Sequence, residues 1–284
     1  MRFQHKISTL CRVLKVNRST YYKHFSKAVS DRTLQNQRIR SYILAIYSAS
    51  KKRLGAYKIC YLLGVEYGIY ISVGRVYRLM KSMNLPKMST VKPKFIHSKS
   101  DNSASFNNEV KQNFTTDKPN LVWVSDITYV KVNGKFCYIC VIIDLFSRKV
   151  IAYTVKNKID VNLVIDTFNK AFATRNYPEN LIFHSDRGSQ YTAKSFRKYL
   201  DNCNVIQSFS AKGYPYDNAV AESFFKFLKL EELNRQTFYN KAQLELSLFE
   251  YIEGFYNAKR PHSANGMLSP NQKETLYFDN LKNN

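Results

Sequence analysis

Acidic side chains are nearly absent from the first hundred residues of this 284-residue chain. Asp31 and Glu66 are the only two, set against 21 lysines and arginines, so +19 of the total net charge of +23 falls in that third. A segment so one-sided repels itself unless it meets a polyanion, and neutralising phosphates releases condensed counterions. Long apolar runs are also missing. Nowhere do about 18 uncharged apolar residues follow one another, so no membrane-spanning helix is expected, and the N-terminus has no apolar stretch of signal-peptide length. Five cysteines, scattered from Cys11 to Cys203, are an odd number that describes no disulfide framework, which makes a reducing cytosol the simplest compartment. Cys137 and Cys140 have no second pair to complete a zinc site; three apart in a strand, they face opposite sides, as core residues do. The histidines at 5, 24, 97, 184 and 262 lack paired cysteines too. No glycine-rich loop follows an apolar strand, so nucleotide binding has no support. No nucleophile sits among clustered arginines, as a covalent recombinase requires.

What the basic third does contain is helical patterning, which a solvated tail lacks. Phe3, Ile7, Leu10 and Leu14 recur at helical spacing, a turn follows at Val16-Asn17, and Ser19 or Thr20 can cap a second helix through Tyr22 and Phe25. The pattern returns at 54–83. LGAYKICYLLG turns Ile59, Leu62 and Leu63 inward, EYGIY reverses the chain, and Ser72 caps ISVGRVYRLM with Val73, Val76, Tyr77 and Met80 on one face. Helix, short turn and capped second helix form a helix-turn-helix, whose exposed face would carry Arg75, Arg78 and Lys81 to DNA. Residues 1–90 therefore read as an all-α, helix-turn-helix DNA-binding region, and the polar, basic stretch 91–118 as a linker.

From 119 to 284 the texture changes. LVWVSDITYV, FCYICVIIDLF and RKVIAYTV are three β-rich runs separated by turns at Asn133-Gly134 and Phe146-Ser147. A helix over 160–175, a strand at 181–185, a helix at 193–202, a strand at 205–209 and a helix from about 217 follow. Three meandering strands and then alternating helices and strands predict an α/β core with a mixed sheet of RNase H type.

Three acidic residues stand out within that core. Asp126 interrupts a β-branched, apolar strand, where a carboxylate is costly without coordination or hydrogen bonds. Asp186 follows the strand LIFHS and precedes Gly188, at a strand's C-terminal end. Glu222 falls in DNAVAESFFKFLK, a helix whose Ala221, Phe224, Phe225 and Leu228 form the inward stripe. Carboxylates converging in one cleft repel each other and invite hard divalent cations; two such ions can activate a water or hydroxyl and stabilise the leaving oxygen of a phosphodiester. Lys226 and Lys229 share the helix face of Glu222 and suit a helix lining a DNA groove. His184 either positions DNA beside the second aspartate or caps its strand. Asp144, at the end of another strand, reads as a turn residue, and Arg260 and His262 either contact phosphate or belong to a folded turn around Pro261.

These motifs resemble a known family. HSDRGSQY (184–191) and DNAVAESFFKFLK (217–229) are similar to the signatures of the DDE integrase core in the downstream-frame transposases of IS-three-type bacterial insertion sequences. VWVSDITYV fits the first-aspartate motif, YNAKRPHSANGMLSP (256–270) resembles the C-terminal element, and 51–85 looks like the preceding helix-turn-helix, so the likeness spans essentially the whole chain. Asn265 stands where the family usually has an apolar residue. The resemblance implies a retroviral-integrase-like fold, dependence on Mg²⁺ (two ions, with Mn²⁺ able to substitute), and binding of terminal inverted repeats and target DNA. It carries the catalytic triad onto Asp126, Asp186 and Glu222 and the family's basic residue beyond the glutamate onto Lys229. Active members are usually fusions with the product of an upstream reading frame, so dependence on such a product is expected, in the bacterial cytoplasm at the nucleoid. Joining two ends calls for at least a homodimer on DNA. A non-catalytic DNA-binding regulator and an RNase H-like nuclease that cuts without joining are the competing readings.

Overall fold

The chain divides into two units, residues 1–86 and 87–284, and the computed structural model describes residues 5–25, 29–86, 107–211 and 215–283. Phe3, His97 and most of the expected linker lie outside the described residues. Among the described residues no helix is long and apolar enough to cross a membrane.

The first unit holds α1 (Ile7–Val13), α2 (Arg18–Phe25), α3 (Asp31–Ala49), α4 (Ala56–Tyr67) and α5 (Val73–Ser82). Both predicted helical pairs are present, but α1 buries only Cys11, and Leu14, expected inward, is exposed. The longest helix, α3, was not anticipated. Ser30 caps it by accepting a hydrogen bond from the Thr33 N–H, and Ile39, Ile43, Ile46 and Tyr47 form its buried stripe. Gly68, at φ +64°, ends α4 in the left-handed conformation that glycine adopts without strain. Ser72 caps α5 through the Arg75 N–H as expected. The buried face of α5 is Val76, Leu79 and Met80, whereas Val73 and Tyr77, expected inward, are exposed. The reason is α3, which packs on α5 together with α4 and centres the buried stripe on Leu79.

The second unit is built on a five-stranded sheet in the order β3-β2-β1-β4-β5. β1 (Val122–Val132), β2 (Lys135–Asp144) and β3 (Val150–Lys156) form an antiparallel meander; β4 (Ile182–Ser185) pairs parallel with β1, and β5 (Ile206–Phe209) parallel with β4. This is the mixed, RNase H-like sheet expected from the order of elements. α6 (Val161–Thr174), capped by Asp160, crosses from β3 to β4; a short α7 (Ser189–Thr192) and α8 (Lys194–Asn202) cross from β4 to β5. Strand pleating sends Trp123 and Phe183 to one face, where they join Phe168 of α6 and Phe196 of α8 with ring centroids 5.6–6.3 Å apart. Each ring fully buried there is worth about 1.5–3 kcal/mol of hydrophobic stabilisation.

α9 (Ala219–Glu231) lies along β1, followed by α10 (Lys241–Tyr251), a π-helical turn over Ile252–Asn257 and α11 (Pro270–Lys282). The C-terminal part is bound to the sheet by buried polar groups. Asn257 Oδ1 accepts from the Val150 N–H at 3.0 Å and its Nδ2 donates to the Val150 carbonyl at 2.9 Å. Glu274 of α11 accepts from Ser147 Oγ at 2.9 Å, Arg175 Nη2 at 2.6 Å and Lys149 Nζ at 3.1 Å. Residues 107–118, expected at the end of the linker, are instead hydrogen-bonded to this unit: the Phe209 N–H donates to the Asn107 carbonyl at 2.9 Å and Val110 is buried.

Candidate active site

Two aspartates are set side by side by strand register. The last pair of the parallel β1–β4 ladder is Ser125 with Ser185, so Asp126 and Asp186 are the next residues on neighbouring strands, about 4.8 Å apart in the sheet. Alternation along both strands puts them on the face opposite the Trp123–Phe183 aromatic cluster. Each has one oxygen held by its own chain: the Ile127 N–H donates to Asp126 Oδ1 at 2.7 Å, and the Gly188 N–H donates to Asp186 Oδ1 at 3.0 Å. The second bond is an Asx-type turn, and a Cβ at position 188 would meet Asp186 Oδ1 at 3.0 Å, close enough that a larger residue there would press on the carboxylate.

Glu222 sits in the first turn of α9. Ala221, Phe224, Phe225 and Leu228 are the buried stripe of that helix, as its spacing predicted. Its N-terminus is fastened to β1 by Asn218, whose Nδ2 donates to the Ser125 carbonyl at 3.1 Å, one residue before Asp126. Two turns beyond Glu222, Lys229 Nζ stands 5.5 Å from the centre of the Tyr129 ring of β1, a cation–π distance. Lys226, between them on the same face, is half-buried.

The electrostatics of the three carboxyls are coupled. Burial first, then the charge of Asp186, then that of Glu222 raise the Asp126 carboxyl to about 8, against the pull of the Ile127 N–H and of Lys229. Glu222 is raised by burial and by Asp186. Burial raises Asp186 against the pull of the Gly188 N–H, although its side chain is the most open of the three. Burial lowers the Lys229 ammonium, and Asp126 opposes that. Behind Asp126 the strand is rigidly held: Ser125 Oγ donates to the Val141 carbonyl at 2.9 Å and lies 2.8 Å from the buried Tyr191 hydroxyl.

As the side chains stand, no group of three His, Cys, Asp or Glu among the described residues is gathered tightly enough to grip an ion. The donor set nevertheless fits a hard divalent cation: oxygen ligands only, mutual repulsion that a cation relieves, and one oxygen of each aspartate oriented by backbone.

Other expected contacts fall elsewhere. His184 is fully buried, Nδ1 2.8 Å from Ser208 Oγ and Nε2 3.2 Å from Ser210 Oγ, and burial lowers it to about 4. It is a neutral strut between β4 and β5 and cannot touch DNA, which corrects the first of its two readings. Arg75 is engaged within its unit, Nη2 donating to Asn36 Oδ1 and Gln35 Oε1, both at 2.8 Å; it braces α5 against α3, while Arg78 and Lys81 are exposed. Arg260 belongs to the folded C-terminal part: its guanidinium grips Glu231 in a fully buried fork, with Nη2 to Oε1 at 2.6 Å and Nε to Oε2 at 2.9 Å. Asp144 is the turn residue expected, accepting from the Phe146 and Asn120 N–H groups, both at 2.8 Å. Asn218 and Asp217 were missed as individual residues, although the motif DNAVAE contains both.

Residues 116–215 and 204–270 match the families described as integrase core domain, and residues 34–94 match an HTH-like domain. Fold and domain content define a DNA-acting polynucleotidyl transferase with a helix-turn-helix region. Over 273 residues the chain is 34% identical to "Transposase InsF for insertion sequence IS3A" of Escherichia coli (strain K12), covering 95% of this chain and 94% of that one. Over 250 residues it is 36% identical to "Transposase for insertion sequence element IS904" of Lactococcus lactis subsp. lactis (strain IL1403), covering 88% and 96%. It therefore belongs to the IS3-type family of insertion-sequence transposases, and it is a DNA transposase. Among solved structures, the intasome of simian T-cell lymphotropic virus in complex with PP2A regulatory subunit B56 gamma aligns at 14% identity with a TM-score of 0.44, covering 82% of this chain and 74% of that one.

Proposed function

We propose that Asp126, Asp186 and Glu222 are the active site of this transposase, and that it cuts the terminal inverted repeats of its element and joins the exposed 3′-hydroxyl to target DNA. The observation that carries this reading is the strand register, which sets Asp126 and Asp186 side by side just past the Ser125–Ser185 pair; burial first, and then the charges of Asp186 and Glu222, raise the Asp126 carboxyl accordingly. Three like charges facing one cleft are a cost to the fold, and a divalent cation removes it. Two Mg²⁺ ions, or Mn²⁺ in their place, bound by these three side chains would supply Lewis-acid activation of the attacking oxygen and stabilisation of the leaving one. The backbone bonds to Asp126 and Asp186 orient their remaining oxygens. Lys229, close enough to Asp126 to influence its proton affinity, brings positive charge to the phosphate being attacked, and Lys226 continues that face along the strand.

In this reading residues 1–90 hold the element's ends, with Arg78 and Lys81 on phosphates, and 119–284 form the catalytic core, to which 107–118 are bound. Two ends must meet, so the working form is a homo-oligomer on DNA, acting in the bacterial cytoplasm at the nucleoid, alone or with an upstream-frame product. A non-catalytic regulator would leave the carboxylate cleft without a use. A nuclease without joining is separated by experiment: a labelled inverted-repeat duplex and a target duplex are incubated with the protein and Mg²⁺. Metal-dependent cleavage followed by a joined product is expected; cleavage that persists in chelator would sink the metal mechanism, and cleavage without joining would leave a nuclease.

A further inference from the structure

Asp217 is a buried carboxylate, 2% exposed, that the reaction above does not use. It accepts from three neutral donors: Asn108 Nδ2 to Oδ2 at 2.8 Å, the Ala211 N–H to Oδ2 at 2.7 Å, and Gln112 Nε2 to Oδ1 at 2.9 Å. Two of these come from residues 107–112, more than a hundred positions earlier in the chain. That strap is seated along its length. The Phe209 N–H donates to the Asn107 carbonyl and the Glu109 N–H donates to Ser208 Oγ, both at 2.9 Å. The Lys111 N–H donates to Asn108 Oδ1 at 2.9 Å, which turns the Asn108 amide nitrogen towards Asp217. Asp217 in turn precedes Asn218, which is tied to Ser125, and stands five residues before Glu222. The strap, the start of α9 and the strand carrying Asp126 are thus one chain of hydrogen bonds.

We propose that Asn108 and Gln112 are positioning residues for the transposition chemistry: by holding Asp217 they set where α9 begins, and so where Glu222 stands relative to Asp126. The proposal rests on the reading of Glu222 as an active-site carboxylate. The chemistry of the contact dictates its own test. A carboxylate offers only acceptors, while an amide offers a donor and an acceptor. Gln112→Glu sets two carboxylates against each other at hydrogen-bond distance, which repels. Adding Asp217→Asn restores the match, because the new amide nitrogen donates to the introduced carboxylate while its oxygen still accepts from Asn108 and the Ala211 N–H.

The full chain is assayed for end cleavage across a Mg²⁺ titration, with end-DNA binding measured alongside. Gln112→Glu is expected to lower cleavage about tenfold, the equivalent of about 1.4 kcal/mol, and to move the half-maximal Mg²⁺ concentration upward several-fold, with DNA binding unchanged. Asn108→Ala is expected to act in the same direction, and Gln112→Glu with Asp217→Asn to return both quantities towards wild type. A contact that merely stabilised the fold would lower the amount of active protein without moving the Mg²⁺ midpoint. An unmoved midpoint in both single variants, or a double variant as poor as Gln112→Glu, overturns the proposal. Glu222→Gln is run in parallel: if it still cleaves, the active-site reading has failed, whereas an inactive Glu222→Gln beside normal strap variants sinks the strap alone.

Discussion

Exchanging Asp126 for asparagine should stabilise the metal-free core at alkaline pH while it destroys the reaction. The Asp126 carboxyl is raised from 3.8 to about 8, so the folded state holds its proton more tightly than the unfolded chain does. That preference is worth nothing when both states are protonated, below about pH 4. As pH rises, the unfolded chain ionises first and the core loses stability, until the loss is complete above about pH 8. At about 1.4 kcal/mol per tenfold change in proton affinity, the ceiling is about 6 kcal/mol. Water entering a half-exposed cleft screens the charge, and we expect about 2–3 kcal/mol at pH 8.5. For a core of this size that is a rise in melting temperature of roughly 5–8 °C. The single tryptophan, Trp123, is fully buried in β1, so its emission follows the melting of the second unit alone. Wild type and Asp126→Asn are melted in chelator between pH 5 and 9. His184, lowered to about 4, contributes the opposite slope, because its unfolded form takes up protons first as pH falls from 6.5; it is present in both proteins and cancels in the difference. Equal melting temperatures and equal pH slopes for the two proteins would refute the reasoning.

Two further outcomes follow from named side chains. Arg260→Ala leaves the buried Glu231 carboxylate without its cation, with only the Tyr251 hydroxyl among the described residues still donating to it, and should cost about 3–5 kcal/mol, read as a fall in the denaturation midpoint of the core; a loss below about 1 kcal/mol would mean that the pair is not buried as described. Replacing Arg78 and Lys81 by alanine should make end binding less salt-dependent, by about 0.9 in the log–log slope for each phosphate left without its cation. Arg75→Ala should instead lower the stability of the first unit by removing its hydrogen bonds to Gln35 and Asn36, and a changed salt slope with unchanged stability would reverse those assignments.

The strands were legible because alternation and β-branching are local signals, and β1, β2 and β3 begin and end within a residue or two of the expected runs. The cleft was legible for a similar reason: Asp126 in an apolar strand, Asp186 at a strand end and Glu222 opposite an apolar helix stripe are each odd in their own neighbourhood. α3 was overlooked because its apolar residues do not keep to one face: Ile39, Ile43, Ile46 and Tyr47 are buried while Leu34 and Leu44 are exposed, although Ser30 announces its start. The burial of His184 depends on Ser208 and Ser210, and that of Arg260 on Glu231, partners at least 24 residues away. No local pattern separates a buried histidine or arginine from one that faces DNA. The same holds for the strap, whose Asn108 and Gln112 look like linker residues until Asp217 is beside them.

The most direct test of the central claim is strand joining by three amide variants: Asp126→Asn, Asp186→Asn and Glu222→Gln. Each is assayed with a labelled inverted-repeat end, a target duplex and Mg²⁺, next to a binding measurement on the same end. The expected result is wild-type affinity for the end and no joined product from any of the three. Joining at the wild-type rate by Asp186→Asn, or by either of the others, would contradict the assignment of the triad.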